Sequence, residues 1–175
     1  MLGISTVWKS GELKDGQKLM ECFAGLGFRE VELEYRISGE TFKQIKQFLN
    51  KAKDLKIVSI HNFFPVPDIL ETGGADVFHF SSEDGEERSL AVKYAVKTIQ
   101  IASELGARAV VLHLGMVQMD TVREELFGLY DAGKVGSDEH KRRLDEFKML
   151  RDRKKGKTLD MMLLSMDEIE QAAEK

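Results

Sequence analysis

A chain of 175 residues, 42% hydrophobic and 32% charged, can build one ordinary core, but it falls short of the about 250 residues that a complete eight-stranded α/β barrel takes. Its formal charge of -4 disfavours a general nucleic-acid binder, and its single cysteine, Cys22, excludes an internal disulfide framework. No apolar run nears the roughly 18 residues of a membrane span and no signal-peptide pattern opens the chain, so these features predict a soluble, cytoplasmic protein whose partners are small molecules and not membranes.

The first half alternates strand and helix. Residues 2–7 read as a strand, 13–26 as a helix closed by Gly27, 30–35 as a second strand, and 39–55 as an amphipathic helix with Phe42, Ile45, Phe48 and Leu49 on one face. Residues 57–61 are the third strand, 86–105 a helix with Leu90, Tyr94, Ile101 and Leu105 on a stripe and Gly106 as its terminator, and 109–114 the fourth strand. Strands separated by helices of this length imply crossover connections and a parallel sheet.

Two segments interrupt the alternation, each after a strand. Residues 62–85 hold both prolines, Gly73-Gly74 and Ser81-Ser82, and read as a long loop over the end of the third strand, the kind of segment that does binding work. Residues 115–158 read as an inserted helical hairpin, with helices at 120–130 and 138–155 divided by Gly133 and Gly136. Ser165-Met166-Asp167-Glu168 has capping-box spacing and predicts a new helix opening at Ser165. The expected architecture is α/β: residues 1–175 as the N-terminal part of a single parallel (β/α)8 TIM-barrel domain, incomplete, comprising about the first four βα units plus the hairpin.

Successive strand side chains point to opposite faces, so parity predicts which polar groups share a site. Val31, Leu33 and Tyr35, Val58 and Ile60, and Val110, Leu112 and Leu114 form the faces expected to meet helices. The interior set is then Ser5, Glu32, Glu34, Ser59, His61 and His113, with Ile57 beside them; of these, Glu34 reads better as a surface or rim carboxylate. Imidazoles and a carboxylate inside a barrel demand pairing or function, because an unpaired buried polar group costs on the order of 2–7 kcal/mol.

Leu2-Gly3-Ile4-Ser5-Thr6, then Leu26-Gly27-Phe28-Arg29-Glu30-Val31-Glu32-Leu33, Ser59-Ile60-His61, and Ala102-Ser103-Glu104-Leu105-Gly106-Ala107 leading into Val110-Val111-Leu112-His113-Leu114-Gly115 together resemble the xylose isomerase-like TIM-barrel superfamily. That group contains sugar and sugar-phosphate isomerases and epimerases and the endonuclease IV type of abasic-site nuclease. The resemblance spans nearly the whole chain. It implies that His61 and His113 match strand-three and strand-four histidines that help ligate zinc in the nuclease branch and contact substrate or support the site in the isomerases. Glu32 matches a second-strand glutamate common to many members. The principal metal ligands and acid/base glutamates of the group come largely from strands five to eight, so the resemblance implies weak metal binding and no appreciable turnover by these residues alone.

The expected function is that of a sugar or sugar-phosphate isomerase or epimerase in which a divalent metal (Mn, Zn, Co or Mg) assists proton transfer in the complete enzyme. Glu32, His61 and His113 are the expected catalytic residues, His61 and His113 the metal contacts, and Ser5, Trp8, Asn62 and Phe63 the substrate contacts. Several of these have a structural alternative: Glu32 an internal salt bridge, Trp8 a cover for the barrel mouth, Asn62, Phe63 and Phe64 an anchor for the loop. The basic stretch 141–157 reads as a solvated helix, with phosphate contact as its alternative. Rival functions are a metal-dependent abasic-site phosphodiesterase and a non-catalytic half-barrel that needs a partner chain, a homo-oligomer being one way to close it.

Overall fold

A computed structural model describes residues 2–117, 119 and 123–174. Four short strands, β1 (Gly3–Ser5), β2 (Glu30–Leu33), β3 (Lys56–His61) and β4 (Ala109–Val111), pair in that order, every neighbour parallel. Helices α1 (Gly16–Gly25), α2 (Gly39–Lys51) and α3 (Gly85–Leu105) fill the crossovers, and α4 (Arg123–Asp131) and α5 (Asp138–Ala173) follow β4. Spatial order equal to chain order, with no reversal, is the wall of a TIM barrel and not a doubly wound sheet.

Short polar side chains set most helix starts. Asp15 accepts the Lys18 N–H, Ser38 that of Thr41, Asp84 that of Glu86, and Ser137 that of His140, each satisfying a donor with no intrahelical partner. The Asp15 cap explains why α1 begins after the expected residue 13. Gly106, left-handed, ends α3 as expected.

The core has two parts. Val31, Leu33, Ile57 and Ile60 of the sheet pack with Leu19, Met20 and Phe23 of α1 and Phe42 and Ile45 of α2. A second cluster joins Phe63, Phe78 and Phe80 of the loop after β3 to Ala91, Tyr94 and Ala95 of α3 and Ile169 of α5.

Two expectations are corrected here. Ile57 belongs to the helix-facing core and not to the interior set, because Val31 partners Ile57 while Glu32 partners Ser59, so Val58 is an extra residue in the ladder. Parity read back from His61 therefore holds for Ser59 and fails before Val58. Ser165 opens no helix: α5 is one element of 36 residues, about 54 Å at 1.5 Å per residue. Ser165 is 2% exposed, and its hydroxyl lies 2.8 Å from the Phe80 carbonyl and 3.2 Å from that of Met161, one turn back. It satisfies a loop carbonyl against α3 and α5 instead of capping a terminus. The hairpin itself is present as α4 and the first part of α5. The expected helix start at Asp120 and the terminal Lys175 lie outside the described residues.

Candidate functional site

The site forms where β3 and β4 end. Ser59 and His61 leave β3 on the face of their register partners Glu32 and Val111, and the chain beyond β4 brings His113 to the same side. The Nε2 atoms of His61 and His113 lie 3.2 Å apart. Ser59 donates its hydroxyl to Glu32 Oε2 at 2.8 Å, leaving Oε1 of that carboxylate free of hydrogen bonds among the described residues. The Tyr35 ring meets His61 edge-on, with centroids 5.0 Å apart. Asp76, from the loop after β3, places Oδ1 3.0 Å from His113 Nδ1. Burial pushes the His61 imidazole below its ordinary value; Glu32 opposes that shift and His113 adds to it.

Glu34 is corrected from a rim carboxylate to a buried one, 0% exposed. Its oxygens accept the Ser10 hydroxyl, the Arg36 backbone N–H at 2.8 Å and Arg36 Nε at 3.1 Å, while Arg36 also reaches the Val7 carbonyl at 2.8 Å. This buried, paired network ties the turn after β1 to the turn after β2. Tyr35 is corrected from helix-facing to site-facing. Both departures have one cause: β2 ends at Leu33, and alternation does not extend past a strand's last ladder residue.

Of the expected site residues, the fold brings together Glu32, His61 and His113, with Ser5 in register beside Glu32. The Ser5 hydroxyl is engaged in its own turn, accepting the Val7 N–H at 3.3 Å. Trp8 is 53% exposed, tilted against Phe23 with Lys9 above its face. Phe63 is 1% exposed within the second core cluster, so its ring anchors the loop. Asn62 is buried as well; its Oδ1 lies 2.8 Å from the Thr98 hydroxyl, while its Nδ2 has no partner among the described residues. His79 pairs with Glu87 at 2.8 Å, away from the other histidines' network. In the basic stretch, Arg143 engages Glu125 and Glu146, Lys155 engages Asp152, and Lys157 reaches Glu83, the pattern of a solvated helix. Asp76 was not foreseen, since an isolated acid in a long loop carries no spacing signal.

Two imidazole nitrogens bound to one ion at about 2.0–2.1 Å each lie within about 4 Å of one another, so the observed 3.2 Å fits two ligands of a single cation. They do not make a whole site: among the described residues no group of three or more His, Cys, Asp or Glu is placed to hold a metal. No described helix is long and apolar enough to cross a membrane.

The family model described as xylose isomerase-like TIM barrel matches residues 22–144, a span holding β2, β3, β4 and both site histidines. No curated protein matches the chain.

Proposed function

We propose, from the premise that this chain belongs to the xylose isomerase-like TIM barrel family, that it contributes the strand-one to strand-four wall of a sugar or sugar-phosphate isomerase or epimerase site. The observation that carries this reading is the pair of imidazoles whose Nε2 atoms converge to 3.2 Å beside the Glu32 carboxylate. A divalent ion, when bound, polarises a substrate carbonyl or hydroxyl. His61 and His113 supply two of its ligands. Glu32, oriented by Ser59, offers its second oxygen to a substrate hydroxyl or proton. The loop after β3 brings Asp76 to the flank of the paired rings. Residues 1–175 are read as part of one barrel domain, with a small-molecule sugar or sugar phosphate as ligand. The abasic-site nuclease reading is disfavoured by electrostatics: Glu32 and Asp76 flank the histidines in a chain of charge -4, which repels a polyanionic backbone.

Calorimetric titration of the 175-residue chain with Mn, Zn, Co and Mg tests the reading. Weak binding is expected, and it should vanish in the His61→Ala, His113→Ala double variant. Binding that persists unchanged in that variant overturns the assignment. Added sugar or sugar phosphate should then shift the His61 and His113 ring signals of the metal-loaded chain, whereas a response only to an abasic-site duplex transfers the site to the nuclease branch.

A further inference from the structure

We propose that Asp76 is a positioning residue of this site: its carboxylate fixes the ring and tautomer of His113 and so leaves His113 Nε2 as the nitrogen turned to a ligand. This rests on the reading of His61 and His113 as the ligand-holding pair. An ionised carboxylate only accepts hydrogen bonds. The 3.0 Å contact between Asp76 Oδ1 and His113 Nδ1 therefore places a proton on Nδ1. In the neutral ring, Nε2 is left with its lone pair directed at His61.

The facing nitrogen, His61 Nε2, is 3.2 Å away. A carboxylate acceptor behind a histidine fixes its tautomer and raises the basicity of the opposite nitrogen, so His113 Nε2 is held as a ligand atom on the side that it shares with His61.

The fold holds Asp76 for this task. Its neighbours Ala75 and Phe78 are buried, and Gly73 packs so closely on the Tyr35 backbone that any Cβ there would overlap the Tyr35 carbonyl oxygen. On the other side of His113, Gly115 adopts a φ of 116° and lies against Ser81, leaving no room for a side chain. The loop after β3 thus clasps the backbone on both sides of the pair, from Tyr35 to Gly115, and delivers its carboxylate to His113.

The test is ring-nitrogen NMR of the full chain at one neutral pH, with His113 assigned by loss of its signals in His113→Gln, for wild type, Asp76→Asn and Asp76→Glu. Wild type and Asp76→Glu should show His113 protonated at Nδ1; Asp76→Asn, whose amide also donates, should show mixed tautomers. Zn2+ titrated alone should bind Asp76→Asn about 10–100-fold more weakly than wild type, with Asp76→Glu recovering part of the loss. A His113 tautomer unchanged in Asp76→Asn overturns the proposal. If the tautomer shifts as expected but Zn2+ leaves the rings of the wild-type chain untouched, the ligand-holding reading fails and with it the role of Asp76 in metal binding.

Discussion

The Nε2 atoms of His61 and His113 stand 3.2 Å apart at the ends of neighbouring strands, and only one proton, one cation or one polar substrate atom fits between them. Burial holds the His61 imidazole below its ordinary 6.5, with Glu32 working against that shift and the neighbouring His113 reinforcing it.

This gives a signed pH dependence. Near and above pH 7 both folded and unfolded chains carry a neutral His61. As pH falls through the unfolded value of about 6.5, the unfolded chain takes up a proton that the folded chain resists, so stability declines until the folded group also titrates. Urea unfolding across this window should show the decline in wild type and a shallower one in His61→Gln. Identical slopes in the two proteins would remove His61 as the cause.

Glu34 is fully buried, and its charged partner Arg36 is 37% exposed. In Arg36→Ala the Glu34 carboxylate stays enclosed with only the Ser10 hydroxyl and a backbone N–H as donors, a loss expected to cost about 1–3 kcal/mol. A neutral amide needs no counter-charge, so adding Glu34→Gln should recover part of that loss. Denaturant midpoints of the two singles and the double form the cycle, and simple additivity would show that the charges are not coupled.

The order of strands, the helix-facing Val31, Leu33, Ile60 and Val110 and the convergence of Glu32, His61 and His113 were legible because each rests on a local period, whereas Leu114, expected on the same face, is 40% exposed past the end of β4. Legibility ended where periodicity did. Ile57 changed sides because the ladder skips Val58, an event decided by pairing with β2 and invisible along β3. Glu34 and Tyr35 lie past the last ladder residue of β2 and follow turn geometry. Ser165 carried a genuine capping-box pattern, yet no breaker separates it from the helix before it, and packing on the Phe80 carbonyl outweighed a local signal worth about 1 kcal/mol. Asp76 depends on a loop of more than twenty residues folding over three aromatic anchors, Phe63, Phe78 and Phe80, which no short-range rule encodes.

Ser165 separates the two roles directly. At an N-cap, aspartate serves as well as serine. At a buried mid-helix position beside two carbonyl oxygens it puts an unpaired charge among acceptors. Ser165→Ala should cost about 1–3 kcal/mol by stranding the Phe80 carbonyl, and Ser165→Asp should cost more. Equal stability of Ser165→Asp and wild type in thermal unfolding would restore the cap.

Among the described residues β1 and β4 each pair on one side only. Open parallel edges present unpaired backbone groups that a closed barrel lacks, so the 175-residue chain is expected to self-associate, and light scattering should report a dimer or larger species. A monodisperse monomer that melts cooperatively would show those edges to be covered.

Gly73→Ala probes whether the loop after β3 sets up the histidine pair. A methyl at residue 73 meets the Tyr35 carbonyl oxygen and the Val66 side chain, and backbone on the one side and packed aliphatic on the other cannot give way cheaply. Overpacking of this kind costs about 1–3 kcal/mol. The displaced segment carries Asp76, so the loss should come with a changed His113 ring signal while the His79 contact to Glu87, farther along the loop and tied to α3, is kept. Gly128→Ala, inside α4 with nothing near its Cβ, is the matched control and should stabilise by about 0.5–1 kcal/mol. If Gly73→Ala lowers the melting temperature yet leaves the His113 ring unmoved, the loop supports the fold without positioning the site.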